Sequence, residues 1–186
     1  MNKTMNFIKR VILFFIGMSV IQFGVAMFLE TNIGSDPFTV FTQGLANTLG
    51  KTPGQANRII LVVLIIAILF IERKRIKIGT LICVVGVGPI IDLSSKIVSI
   101  FPIASANFFI KMLIVVLGVF IIAAGFSLVS GSDVGVAPND IVPFIIQDKT
   151  KVQYKYIRIA LDATFLIVGF LIGGTVGVGT IIAMLA

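Results

Sequence analysis

The sequence predicts an all-α, polytopic membrane protein of about six transmembrane helices, arranged as two inverted three-helix repeats. Three observations predict it. Of 186 residues, 58% are apolar and 12% charged, with a mean hydropathy of +1.13. The apolar residues fall in runs of membrane-spanning length. The glycines, prolines and charges of the first half recur about 100 positions later.

A soluble domain of this size cannot hide so much apolar surface, because much of any small globule stays exposed. A bilayer accepts it. A spanning helix needs about 20 mostly apolar residues, so the chain has room for about six spans in one membrane domain. The sequence has no His, and its single cysteine, Cys83, lies in an apolar run and reads as a small buried hydrophobe. That inventory excludes an intrachain disulfide, His/Cys metal sites and His-based triads. No metal, cofactor or catalytic set is expected, and the chain does not read as an enzyme. The net charge of +7 reads as orientation signals beside spans rather than as a nucleic-acid footprint.

The first ten residues are short and basic, and 11–29 form the first span. Its apolar run is too long for a signal peptide, and no small-residue cleavage site follows. Residues 30–57 are polar to amphipathic. The second span covers 54–71 and ends at Glu72, Arg73, Lys74 and Arg75. The third covers 78–100, with Pro89 predicting a kink or break and Asp92 near its end. Residues 101–107 are a loop and 108–129 the fourth span. A second polar-to-amphipathic stretch, 130–155, leads to the fifth span at 156–172, which holds Arg158 and Asp162. A tight turn at Gly173 and Gly174 opens the sixth, 175–186. At 1.5 Å per residue that segment reaches about 18 Å, short of a core of about 30 Å, so it reads as a half-helix or a helix cut short.

The cations orient the chain. With the N-terminus in the cytoplasm, the inner side holds Lys3, Lys9, Arg10, Arg73, Lys74, Arg75, Lys77, Lys149, Lys151 and Lys155. The outer side holds Lys51, Arg58, Lys96 and Lys111. The positive-inside rule favours that arrangement.

Sliding the sequence by 101 positions lays Gly17 on Gly118, Gly24 on Gly125, Gly34 on Gly135 and Pro37 on Pro138. A slide of 100 lays Arg58 on Arg158, Gly79 on Gly179 and Thr80 on Thr180. Glycine, proline and arginine matches mark backbone turns, close packing and costly charges. The repeats are 1–100 and 101–186. Three spans per repeat make the second copy enter from the opposite side, a construction that recurs in secondary transporters.

Three constellations are candidates for function. The first is Gly34-Ser35-Asp36-Pro37 and its echo Gly135 to Asp140, including Pro138 and Asn139. Ser or Asp before Pro opens a helix, and a short amphipathic helix follows. It either lies flat at the interface or dips into the protein as a re-entrant half-helix. Two re-entrant helices would converge with positive N-termini, which suits an anionic group. The second is Arg58 and Arg158, each either snorkelling to headgroups or facing inward to pair with Asp36 and Asp140. Asp162 stands four residues after Arg158, within reach along one helix. The third is Asp92 and Asp162, carboxylates within the apolar segments, although Asp92 also fits an interfacial position. Gln22, Gln55 and Asn57 complete the polar set, lining a cavity or joining helices.

The stretch IGSDPFTVFTQGLANTLGKTPGQAN, with RKRIKIGT and GVGPIIDL after it, resembles the YczE/YyaS/YitT-type bacterial membrane proteins, and the resemblance covers essentially the whole chain. It implies a multi-pass protein of the bacterial cytoplasmic membrane, without naming a substrate. By the repeat, a segment like residues 88–100 is expected after Ala186. The leading functional expectation is a small-solute transporter working by alternating access. Its cargo would be a small anionic or amphipathic solute, and it would act alone or as half of a homodimer. The alternative is a non-transporting scaffold or substrate-binding subunit acting with a partner protein.

Overall fold

A computed structural model describes residues 3–185, with side chains from Met5 onward. The side chain of Lys3 and the chain end at Ala186, both used above, lie outside the described residues. Within them the fold is helical throughout: α1 (Lys3–Thr31), α2 (Pro37–Leu49), α3 (Pro53–Glu72), α4 (Ile78–Val98), α5 (Phe108–Ser132), α6 (Pro138–Thr150), α7 (Tyr154–Leu171) and α8 (Val178–Leu185).

Local chemistry sets the helix starts. Asp36 caps α2, its Oδ1 accepting from the Thr39 amide at 3.1 Å, with Pro37 at the first position. Thr52 and Gln55 form a capping box on α3, again followed by Pro53. Asn107 caps α5 through the Ile110 amide at 2.9 Å. The turns that enter α2 and α6 need Gly34 (φ 106°) and Gly135 (φ 143°), a backbone region that side chains other than glycine rarely adopt.

Helices α1, α3, α4 and α5 are long and apolar enough to cross a membrane. The two remaining expected spans do not meet that standard. Helix α7 carries Lys155, Arg158 and Asp162 in 18 residues, and α8 has 8 residues, about 12 Å. The expected break at Pro89 is also absent. Helix α4 runs continuously through it, braced between α1 and α3, which is how membrane helices tolerate proline.

Helices α1 and α5 form the central seam. A Cβ on Gly17 would lie 2.8 Å from the Gly125 carbonyl oxygen, and one on Gly24 would lie 2.9 Å from that of Gly118. The order of these contacts makes the two helices antiparallel, and the missing side chains let their backbones touch. Around the seam, α4 packs on α1, α3 on α4, α2 on α7, α6 on α3 and α7, and α8 on α5. Two further contacts tie the halves together: the Gly79 amide donates to the Val134 carbonyl at 3.2 Å, and the Gly179 amide to the Ile33 carbonyl at 2.9 Å. The largest buried cluster holds Phe14, Met18, Leu61, Cys83, Val87 and Ile91. Large apolar side chains remain exposed along the outer faces, among them Phe109, Phe120, Phe170 and Leu171. A bilayer covers such faces.

Candidate functional site

Helix α2 lies alongside α7 and runs in the same direction. Phe38 and Phe41 both pack on Phe165, with ring centroids 5.3 and 5.5 Å apart. Further along, Gly44 meets Gly169 and Ile172, and Asn47 Nδ2 donates to the Gly173 carbonyl at 2.7 Å. The start of α2 at Asp36 is thereby level with the middle of α7, where Asp162 lies. Helix α6 packs Ile141 and Ile145 on Ile68 of α3, and its first turn also reaches α7.

The two helix starts open on one cavity of about 550 Å³ to which all eight helices contribute. Asp36, Asn139, Asp140 and Arg158 line it, together with Gln22 of α1 and Asn57 of α3. Arg158 joins the acids. Its Nε donates to Asp162 Oδ2 at 3.1 Å, and its Nη1 lies 3.5 Å from Asp140 Oδ1. Asn139 Nδ2 donates to Asp140 Oδ1 at 3.1 Å. Asp36 forms no ion pair among the described residues and holds only its cap. Gln22 and Asn57 are buried, and the Asn57 Oδ1 has no hydrogen-bond partner. An unpaired buried acceptor costs about 1–3 kcal/mol, so a ligand donor is the natural complement. The rest of the wall is apolar, with Phe28, Phe38 and Phe126 among its side chains.

Two expected site residues lie elsewhere. Arg58 is exposed and forms no ion pair among the described residues, so the expected Asp36–Arg58 pair is absent. The helical turn of about 100° per residue points Asn57 into the cavity and its neighbour Arg58 outward. Asp92 is a fastener. Its Oδ2 accepts from Thr52 Oγ1 at 2.7 Å and its Oδ1 from the Gly54 amide at 3.0 Å, which ties the start of α3 to α4.

A second charged cluster lies outside the sequence expectations. Asp133 accepts from Arg10 Nη2 at 2.6 Å and from Lys77 Nζ at 3.2 Å, while Arg75 pairs with Asp148 and Glu72. The signal was present in the cations that flank the spans, but nothing in their spacing joins Arg10 to a residue more than 120 positions away. These hydrogen bonds, Arg10's first, hold the Asp133 carboxyl below its ordinary range.

Together these features define a helical integral membrane protein with a largely apolar cavity that holds a few ionisable groups. The chain belongs to the family of unknown function DUF6198, which matches residues 8–186. It is similar to the uncharacterized membrane protein YczE of Bacillus subtilis, 28% identical over 170 residues, 91% of this chain and 77% of the relative. It is also similar to the uncharacterized protein YyaS of the same organism, 26% identical over 171 residues, 91% of this chain and 84% of the relative. An uncharacterized protein of Haemophilus influenzae is 24% identical over 177 residues, 94% of this chain and 78% of the relative. No solved structure matches. The likeness to YczE and YyaS expected from the sequence is borne out.

Proposed function

We propose that the chain is a small-solute transporter of the bacterial cytoplasmic membrane, built as two inverted repeats of three crossings each, with its N-terminus in the cytoplasm. Helices α7 and α8 belong to the fifth and sixth crossings. Helices α2 and α6 are re-entrant half-helices whose N-termini meet at mid-depth.

Reciprocity of contacts supports the repeats. Gly17 meets Gly125 and Gly24 meets Gly118, and the 101-residue offset exchanges these two contacts. The Gly79–Val134 and Gly179–Ile33 hydrogen bonds exchange in the same way. Asn32 (φ 51°) and Asp133 (φ 54°) share a left-handed conformation at matched positions, just before Gly34 and Gly135. Such exchange is what a two-fold axis between halves produces. Arg10, Arg75 and Lys77 gather at one end of the bundle, which the positive-inside rule assigns to the cytoplasm.

The observation that carries the transport reading is the cavity itself. It lies where interrupted helices of the two halves meet and holds ionisable groups that would be costly in lipid. Cysteine accessibility tests it. In a Cys83→Ala background, Asn139→Cys in oriented vesicles is treated with a membrane-impermeant thiol reagent from each side. Labelling from both sides, with each blocked by trapping the opposite state, supports alternating access. Labelling from one side under every condition replaces transport with a binding or scaffold role.

A further inference from the structure

Resting on the reading of the cavity as a solute site, we propose that its ligand is an amphipathic organic cation, a primary ammonium carried on an apolar body. The convergence of two helix N-termini alone suggests an anion, but the side chains placed there reverse the balance.

Asp36, Asp140 and Asp162 gather at the site around one guanidinium, that of Arg158. Their formal charges leave two negative charges in excess. Each helix N-terminus returns about +0.5 of an elementary charge, so about one negative charge remains. Arg158 is already held by two carboxylates. An anionic ligand would have to take it from both. Asp36 faces the same cavity with no cationic partner among the described residues, and its Oδ1 serves only the Thr39 amide.

The second observation is independent of charge. Asn57 is 7% exposed, lines the cavity and keeps its Oδ1 unpartnered. A carbonyl oxygen and a carboxylate accept hydrogen bonds and donate none. These two acceptors, the Asn57 Oδ1 and the Asp36 carboxylate, therefore ask for N–H donors, which a primary ammonium supplies three at a time. The remainder of the ligand meets Phe28, Phe38 and Phe126. Aromatic faces attract cations and cover apolar groups.

The test uses two ligands with the same phenylethyl body and opposite charge, phenethylammonium and 3-phenylpropanoate. Each is added to purified wild-type protein in detergent, and Tm is followed by thermal denaturation, since a ligand that binds only the folded state raises Tm. The expected result is a rise with phenethylammonium, none with 3-phenylpropanoate, and at least a tenfold weaker response in Asp36→Asn. Asparagine caps helices as well as aspartate does, so that variant keeps α2. The wild-type comparison stands even if the variant unfolds.

A rise with 3-phenylpropanoate alone overturns the cation assignment and leaves the solute cavity intact. An undiminished response in Asp36→Asn overturns the site assignment. No rise with either ligand also overturns the cation assignment. In that case Asn139→Cys labelling decides separately whether the transport reading falls with it.

Discussion

Arg158 Nε donates to Asp162 Oδ2 at 3.1 Å across one turn of α7. The same guanidinium also reaches Asp140 on α6, so one side chain restrains two carboxylates and two helices. Arg158→Met leaves both acids without their cation. Loss of a buried ion-pair partner costs about 3–5 kcal/mol, and the Arg158 side chain is 40% exposed. The expected loss is therefore about 1–3 kcal/mol after solvent screening. Unfolding in detergent measures it. Arg158→Met combined with Asp162→Asn should recover part of the loss, and a double mutant no better than the single would count against the pairing.

The seam between α1 and α5 leaves no room for a methyl group at Gly17, where an added Cβ would stand 2.8 Å from both a carbonyl oxygen and the Leu128 Cβ. Gly17→Ala is expected to destabilise by about 1–3 kcal/mol through overpacking. Gly131, in the last turns of the same α5, faces open space, with nothing within 4 Å of where an added Cβ would stand. Gly131→Ala should be neutral or stabilise by up to about 1 kcal/mol through helix propensity. Thermal denaturation of the two variants side by side reads the contrast.

Asp92 joins α3 to α4 outside the cavity. Asp92→Ala removes two hydrogen bonds to a carboxylate and should cost about 1.5–3 kcal/mol, while leaving the phenethylammonium response per mole of folded protein unchanged. A lost response with stability intact would return Asp92 to the ligand site.

Asp133 gives a pH signature. Its folded pKa lies below the ordinary 3.8, because Arg10 and Lys77 donate to the charged form. A depressed carboxyl stabilises the fold above its unfolded pKa and loses that contribution as pH falls through the folded value. The Tm advantage of wild type over Asp133→Asn should be flat from about pH 7 to about pH 5 and vanish in stronger acid. Added salt should shrink it, since the carboxylate is exposed. An advantage that grew on acidification would refute the assignment.

Much of the fold was legible because membrane segments announce themselves by length. The starts of α2 and α6 followed from Pro37 and Pro138, with Asp36 capping α2 and no side-chain cap on α6. The close packing at Gly17, Gly24, Gly118 and Gly125 was legible in their matched positions, but which glycine meets which was not. The site was legible in part. Arg158 with Asp162 is a contact along one helix, which spacing encodes. Asp140 with Arg158 was reached through the repeat. The sequence left both an outward and an inward position open for Arg58, because its match to Arg158 carries no rotational information and a single step along α3 exchanges a cavity-facing side chain for an outward one. Asp92 looked functional because it is a carboxylate in an apolar segment. Its partners, Thr52 and Gly54, lie about 40 positions earlier, beyond any local pattern.

The two glycine contacts have a mechanical consequence. Gly17 and Gly24 are two helical turns apart, about 10.5 Å along the axis, and each touches the opposite helix. One point of contact would let α1 and α5 scissor about it. Two points remove that freedom and fix the angle at which α1 and α5 cross.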